Sequence, residues 1–437
     1  MCGGLAKALL RSKEFSWSVS LFLSLSFIPA GGAAAAAPAA EFNPVGLWHA
    51  KLSLTENNPV EFQVRISKKG NGLAASLTNG AVSEAFTSAS WDGRTLTLEM
   101  AHYDAKILAA PKDGDLDGTF VRIVATGRRE FPFSASRTAS ALPSVKKSGI
   151  SLAGTWAVEI AQPGGTPENA IALLSQMGMQ VTGTMATASG DYGPLHGTFD
   201  GEDLVLTVFN GVFAYRFTAE LLPDGTLAGE FRSGKNPPVD WKARRQPAIA
   251  EFPGLKPREP EKPFVFSLPD MDAKILASAD ARFAGKALLV TAMGSWCPNC
   301  HDEAPVLEDL YRRYRGRGLE VVAFTYEATE DMERNRRLVG QFQKRHGVRY
   351  PILYAGTTKN AETSPLFSRL DGPRAFPTTL FLDTQHRIVK VHSGFDGPAT
   401  GGRFRKLKKE WDETVRKLLG LDAAEFVVPD ATSLTLK

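Results

Sequence analysis

Cysteine is almost missing from this chain: Cys2, Cys297 and Cys300 are the only three in 437 residues. That scarcity excludes the scattered pairs of a disulfide-stapled secreted scaffold. It also argues against a structural zinc site, which needs four soft or imidazole ligands, because no second C-x-x-C and no paired histidines stand near Cys297. Long apolar runs are missing too. The stretch from Trp17 to Ile28 has 12 residues, short of the roughly 20 that span a bilayer comfortably. Neither sign of charge dominates: 51 Lys and Arg stand against 47 Asp and Glu, without long basic runs, so nucleic acid is not an implied partner. What remains is 43% hydrophobic and 22% charged, an ordinary globular balance, and long enough for two or three domains.

The N-terminus has the layout of a targeting segment. Lys7, Arg11 and Lys13 precede the apolar stretch, and small residues from Ala30 to Ala40 offer A-x-A cleavage points. This predicts a cleaved signal peptide over residues 1–40, with an uncleaved membrane anchor as the alternative. No Cys follows the apolar run, so a lipoprotein anchor there has no attachment atom. Cleavage removes Cys2 and leaves Cys297 and Cys300 alone. In an exported protein, one such pair and nothing else points to a disulfide kept for reactivity.

Residues 45–245 read as all-β. Apolar and polar residues alternate through Val60, Phe62, Val64 and Ile66, and again through Phe213, Tyr215, Phe217, Ala219 and Leu221. Asp-Gly turn pairs punctuate them at Asp92, Asp113, Asp117, Asp200 and Asp224. The region is also duplicated. Gly46-Leu47-Trp48 matches Gly154-Thr155-Trp156, and Phe133, Ala135 and Arg137 match Trp241, Ala243 and Arg245. Two tandem units follow, residues 45–137 and 150–245, as small barrels, sandwich-like modules or halves of one larger barrel. The G-x-W opening loosely resembles lipocalin-like barrels. The repeats read as a docking or scaffolding module, with a small-ligand cavity as the sharper alternative.

Residues 246–263 carry Pro247, Pro253, Pro257, Pro260 and Pro263, which predicts an extended, semi-rigid linker. From Phe264 the rhythm becomes α/β and runs to residue 421, followed by a short tail over 422–437. Ala287–Thr291 and Leu319–Thr325 read as buried strands, and Asp331–His346 and Phe404–Leu419 as helices. Thr378–Leu382 and Ile388–Val391 form a hairpin pair. Between the first strand and its helix lies Trp296-Cys297-Pro298-Asn299-Cys300. A sulfur at a helix N-terminus is stabilised as thiolate, and a second sulfur three residues on resolves the mixed disulfide that the first one forms. Strand–CxxC–helix, strand–helix, then Pro-led hairpin and helix is the order of a thioredoxin fold.

Gly285 to Val290, the Trp-Cys-Pro-Asn-Cys motif, Glu303-Ala304-Pro305 and Phe376-Pro377-Thr378-Thr379-Leu380-Phe381-Leu382-Asp383 together resemble the TlpA/ResA-like thiol–disulfide oxidoreductases of the bacterial envelope, over roughly residues 262–420. The fold class expected is therefore multidomain, a duplicated all-β module followed by a thioredoxin-like α/β domain. The resemblance implies an exported or tethered reductant of client protein disulfides in the periplasm or envelope. A membrane or envelope thiol-redox partner recycles it, and no cofactor beyond the Cys297–Cys300 pair is needed.

The resemblance also assigns site residues. Cys297 attacks, facing outward at the helix start, and buried Cys300 resolves. Pro377 is the cis-proline that leaves the neighbouring backbone free for a substrate segment. Trp296, Pro298, Asn299, Phe376 and Thr378 line the substrate side, Pro298 and Asn299 also tuning the potential. Phe376 departs from the smaller residue usual there, which bears on substrate preference. Glu303 assists proton transfer; the plainer reading is favourable charge near a helix N-terminus. Tyr326-Glu327, Gly394-Phe395 and Gly397-Pro398 are either turns or part of the substrate face. Two rival functions remain: a redox-sensing or ligand-binding envelope protein led by the β repeats, and c-type haem attachment at Cys-Pro-Asn-Cys-His301, with His301 as axial ligand.

Overall fold

The computed structural model describes residues 42–421 except 126, 148, 163–164, 247–251, 253 and 373. The expectations for the signal segment at 1–40, the middle of the Pro-rich linker and the tail at 422–437 fall outside the described residues. Among the described residues no helix is long and apolar enough to cross a membrane.

The first repeat contributes β1–β9: Gly46–Ser53, Pro59–Lys69, Gly72–Asn79, Val82–Ala85, Ser88–Trp91, Leu96–Met100, Ala105–Lys112, Asp115–Val124 and Gly127–Ser136. They are ordered β2-β1-β9-β8-β7-β6-β5-β3-β4, and an additional β2–β3 pairing closes the sheet on itself. Closure leaves few unpaired edges. Alternation places Trp48, Ala50 and Leu52 inside, facing Val60, Phe62, Val64 and Ile66. The second repeat forms β10–β18: Gly154–Ile160, Glu168–Met177, Gln180–Thr187, Gly190–Asp191, Leu195–Phe199, Asp203–Phe209, Ala214–Leu221, Leu227–Ser233 and Val239–Arg245. Its order and its closing β11–β12 pairing repeat those of the first. The repeats are therefore two barrels, not halves of one.

Both barrels are fastened alike. Trp48 Nε1 donates to Pro44 O at 2.7 Å, and Trp156 Nε1 to Leu152 O at 2.9 Å. Arg137 lies over Trp48 at 3.9 Å and donates to Asn43 O and Val45 O. Arg245 lies over Trp156 at 4.6 Å and donates to Ser151 O and Ala153 O. Each arginine thus joins the end of its barrel to the beginning, by hydrogen bonds and by cation–π attraction.

The corner between β15 and β16 packs into the first barrel. Phe209, Val212 and Ala214 join that barrel's core, and Asn79 pairs with both the N–H and the C=O of Phe209, at 3.1 and 2.8 Å. The barrel interiors are filled by buried side chains. A cavity of about 790 Å³ lies between the two barrels and the Pro398–Gly402 turn, inside neither barrel.

Part of the Pro-rich linker is docked where it is described: β19 (Lys256–Pro257) pairs with a short strand at Leu370–Asp371. A small hairpin, β20 (Ser267–Pro269) and β21 (Ile275–Ala277), leads into the C-terminal sheet. That sheet contains β22 (Ala287–Met293), β23 (Leu319–Glu327) and β24 (Ile352–Thr357); after β25 (Leu370–Asp371) follow β26 (Thr378–Leu382) and β27 (Ile388–Ser393). Its order is β24-β23-β22-β26-β27, with β22, β23 and β24 parallel and β26 and β27 antiparallel. Both parallel connections run through helices, α1 (Pro298–Tyr314) and α2 (Met332–His346), and α3 (Gly402–Leu418) ends the domain. Leu289, Val321, Ala323 and Phe381 meet the three helices on one face. Leu288, Val290, Val322 and Phe324 meet Phe264, Phe266, Phe283 and Phe367 on the other. Tyr326 and Glu327, expected in a turn or on the substrate face, are instead the last residues of β23 and fully buried, because the strand runs two residues beyond its apolar stretch.

Candidate active site

The site is built at the junction of β22 and α1. Glycine at 294 lets the Trp296 indole lie against the backbone, where a side chain at 294 would overlap it. Ser295 is locked beneath: its N–H and hydroxyl both donate to the Glu327 carboxylate, at 3.1 and 2.6 Å. Trp296 Nε1 donates to Tyr326 O at 2.9 Å. Cys297 follows in extended conformation as the helix N-cap, with Pro298 at the first helical position, where its missing N–H costs nothing. The Cys297 sulfur accepts from Cys300 N–H at 3.3 Å. It therefore sits at the positive end of the α1 dipole, where negative charge on sulfur is stabilised. Both thiols are free.

Across from the sulfurs lies the Phe376–Pro377 peptide, which is cis. The Cys297 thiol donates to Phe376 O at 3.4 Å. The Phe376 ring lies edge-on to Trp296 and Phe367 and tilted against Tyr326, so it is a packed wall beside the sulfur. Thr378, expected on the substrate side, is fully buried and donates to Ala375 O at 2.8 Å; it holds the turn. β26 is covered on both faces, so strand alternation turns neither Thr378 nor Thr379 to solvent.

Cys300 is buried, and burial together with its hydrogen bond to Cys297 pushes its thiol well above the ordinary range. Glu303 lies beyond the first turn, 2% exposed. Its two oxygens accept from Thr291 Oγ1 at 2.8 Å and Thr379 Oγ1 at 2.7 Å. Burial raises its pKa from 4.5 to about 7, against the pull of those two hydroxyls. A carboxyl poised near neutrality and acting electrostatically on Cys300 is suited to exchange a proton with it. The plainer reading, a charge at the helix N-terminus, does not fit: the first turn holds no acid, and the group is buried. Sequence reasoning missed Thr291 and Thr379. The second was legible as the hydroxyl next to Thr378 in the Pro-Thr-Thr run.

His301 is buried, with one ring nitrogen 2.9 Å from Ser295 O and the other 2.7 Å from His346 Nε2. Burial, with His346 and His102 adding, pulls its pKa well below the ordinary value. Neither nitrogen is open to a haem iron, so the haem expectation fails on geometry. Among the described residues no cluster of His, Cys, Asp and Glu is arranged to hold a metal ion.

The expectation that Cys297 faces outward fails as well: the residue is 4% exposed. The barrels cover it. Asn299 presses its amide onto Gly190 of the second barrel, where any β-carbon would overlap it. His102 and Tyr103 of the first barrel stand over His301, their ring centres 5.3 and 4.7 Å away. Phe395 is core, 1% exposed, while Gly394 lies under the Ala188–Gly190 turn and Gly397 N–H donates to Asp191 at 2.6 Å.

A parallel-and-antiparallel sheet carrying a Cys-x-x-Cys pair at a helix N-cap, opposite a cis-proline turn, defines a thiol–disulfide oxidoreductase of the thioredoxin fold. Residues 260–406 match the Redoxin family, and the C-terminal domain is a Redoxin domain. The chain is similar to thiol-disulfide oxidoreductase ResA of Halalkalibacterium halodurans, 27% identical over 159 residues, covering 36% of this chain and 78% of the relative. It is also similar to ResA of Bacillus subtilis, 26% identical, covering 30% and 64%, and of Oceanobacillus iheyensis, 30% identical, covering 25% and 50%. The chain thus spans only part of each relative's length. A thiol:disulfide interchange protein from Chlorobium tepidum is a solved structure with 24% identity and a TM-score of 0.29, covering 39% of this chain and all of its own.

Proposed function

We propose that this protein is an exported reductant of disulfides in client proteins of the bacterial envelope, working through Cys297 and Cys300. The Cys297 thiolate attacks a client disulfide: one S–S bond breaks, a mixed disulfide forms, and one client sulfur leaves as thiolate. Cys300 then gives its proton to Glu303 and attacks the Cys297 sulfur. The second client sulfur leaves, and two electrons have passed to the client while Cys297 and Cys300 become a disulfide. An envelope thiol partner returns the two electrons, and no further cofactor takes part. Pro377 and the Phe376 carbonyl place the client backbone beside the sulfur, with Trp296, Pro298 and Asn299 forming the rim. Export and an envelope location rest on the sequence of residues 1–40 and on the resemblance to envelope oxidoreductases.

The observation that carries this reading is the asymmetry of the pair. Cys297 is the helix N-cap sulfur beside an acceptor carbonyl, and Cys300 is a deep thiol next to a carboxyl near neutrality. The test is equilibration of the purified chain in thiol buffers, together with trapping by the Cys300→Ser variant. The expected results are a potential near or below about −250 mV, at the reducing end of this class, and a mixed disulfide on Cys297 that persists in Cys300→Ser and never forms in Cys297→Ser. A potential above about −180 mV would reverse the direction of electron flow.

A further inference from the structure

Several buried features of the site belong to the N-terminal half of the chain and have no role in the exchange chemistry. From the first barrel, the corner joining β6 to β7 projects His102, Tyr103 and Asp104 toward α1 and α2. Tyr103 is buried, and a charge on Cys297 acts on its hydroxyl. Asp104 accepts from Arg334 Nε at 2.8 Å and from Arg337 at 2.9 Å. On the same side, Glu84 of β4 pairs with Arg345 of α2 at 2.6 Å. From the second barrel, the turn between β12 and β13 lies across the rim of the dithiol. Gly190 receives Asn299, and a side chain on Gly394 would come within 2.6 Å of Ala188 O. Tyr215 of β16 is close enough for the Cys297 charge to act on it too. Asn299, on the rim that a client segment would touch, is therefore already in contact with the second barrel, and Cys297 beside it is 4% exposed.

Besides the His102 and Tyr103 rings on His301, the first barrel is held down by ion pairs. Those of Arg337 and Arg345 lie at the edge of the interface, partly exposed, while Arg334 is more deeply set. Such pairs contribute little each and weaken with salt, and polar interfaces between domains of one chain ordinarily allow relative motion. A closed arrangement fastened this way is one member of an equilibrium that charge at a few positions can shift.

We propose that the two barrels form a gate over the Cys297–Cys300 pair, closed in this structure and latched to α2 through Asp104 and Glu84, so that a folded protein disulfide reaches Cys297 only when the gate is open. Small thiol reagents pass the closed gate more readily than bulky ones. The inference deepens the oxidoreductase reading and rests on it for its biological meaning, although the gate itself is a property of access.

The test measures the rate at which Cys297 of the reduced full chain reacts with a polymer-linked maleimide, divided by its rate with N-ethylmaleimide at the same pH. The ratio cancels any change in thiolate fraction. In Arg345→Glu and in Arg334→Glu/Arg337→Glu it should rise about tenfold, the size of shift that loss of edge ion pairs and new like-charge contacts brings. In the swap Glu84→Arg/Arg345→Glu it should return toward the wild-type value, which separates an opened gate from a misfolded protein. A ratio the same in wild type and every variant, or a swap no more closed than Arg345→Glu alone, would overturn the gate. Reduction of insulin, with dithiothreitol as recycling reductant, is followed in parallel. A ratio that shifts as expected without insulin reduction, even by the opened Arg345→Glu, keeps the gate and removes the oxidoreductase reading, whereas insulin reduction with an unmoved ratio does the reverse.

Discussion

Glu303 gives the sharpest quantitative expectation. Its carboxyl is buried, held by the hydroxyls of Thr291 and Thr379, and raised from 4.5 to about 7 chiefly by loss of water. One pKa unit corresponds to about 1.4 kcal/mol, so ionising this group in the folded protein costs about 3 kcal/mol more than in the unfolded chain. Because the folded value lies above the unfolded one, stability is complete below about pH 4.5. It falls as pH rises and levels off once pH has passed about 7. In Glu303→Gln the amide oxygen accepts from one threonine, and its NH₂ donates to the other, whose hydroxyl turns to seek a new acceptor. The fold is kept and the ionisation is gone. Urea unfolding of the reduced wild type and Glu303→Gln at a series of pH values checks this directly. The variant should gain on wild type by about 3 kcal/mol between pH 4.5 and 8, and its resolving step should slow because Cys300 has lost its proton acceptor. A stability difference that stays flat across that range would refute the account of Glu303 as a carboxyl held near neutrality.

Two further expectations concern the barrels. Asn79→Ala strips both partners from the buried N–H and C=O of Phe209, at about 1–3 kcal/mol for each unsatisfied group. Urea unfolding and limited proteolysis should show the barrels separating early, and a loss under about 0.5 kcal/mol, within the range of ordinary surface changes, would show that the pair is dispensable. At the second barrel, Asp191 and Asp302 crowd Gly397, where a β-carbon would lie 2.8 and 2.7 Å from their Oδ2 atoms. Burial raises Asp191 to about 6, and burial with Asp191 beside it raises Asp302 well above the ordinary range. Asp396 adds repulsion on Asp191, Glu84 adds it on Asp302, and Arg345 opposes it there. Raised acids favour the contact most below about pH 4 and loosen it as pH climbs through about 6 and beyond. The bulky-to-small maleimide ratio should therefore climb from pH 5 to 8 in wild type and climb less in Asp302→Asn; equal slopes would dismiss the carboxyl contact as a hinge point.

Much of the site was legible because its chemistry is local. Cysteine spacing, a following proline and an apolar strand before it fix a thiol at a helix start, and Glu303 lies within the same helix. Thr378 and the pair Tyr326-Glu327 were misplaced, because strands buried on both faces give no alternation from which to read which hydroxyl points where. The duplication was visible in Trp48 and Trp156, and so was the barrel-forming alternation. The partner of each barrel was not. The corner at His102-Tyr103 docks on α2, while the equivalent corner at Asn210-Gly211 docks in the first barrel. Nothing in a segment's own periodicity states which distant surface it will meet. Cys297 was expected outward for the same reason: its cover comes from residues about 80 to 200 positions earlier.

The arginine clasp on each barrel has a consequence for how such a chain is assembled. Arg137 grips the carbonyls of Asn43 and Val45, and Arg245 those of Ser151 and Ala153, so the chain enters and leaves each barrel at nearly one point. A unit with adjacent ends is a cassette: a copy spliced in lengthens the chain without prising its neighbours apart. The two cassettes differ at a turn and a corner rather than in their closure. A duplicated scaffold thus presents two different faces behind the same fastening.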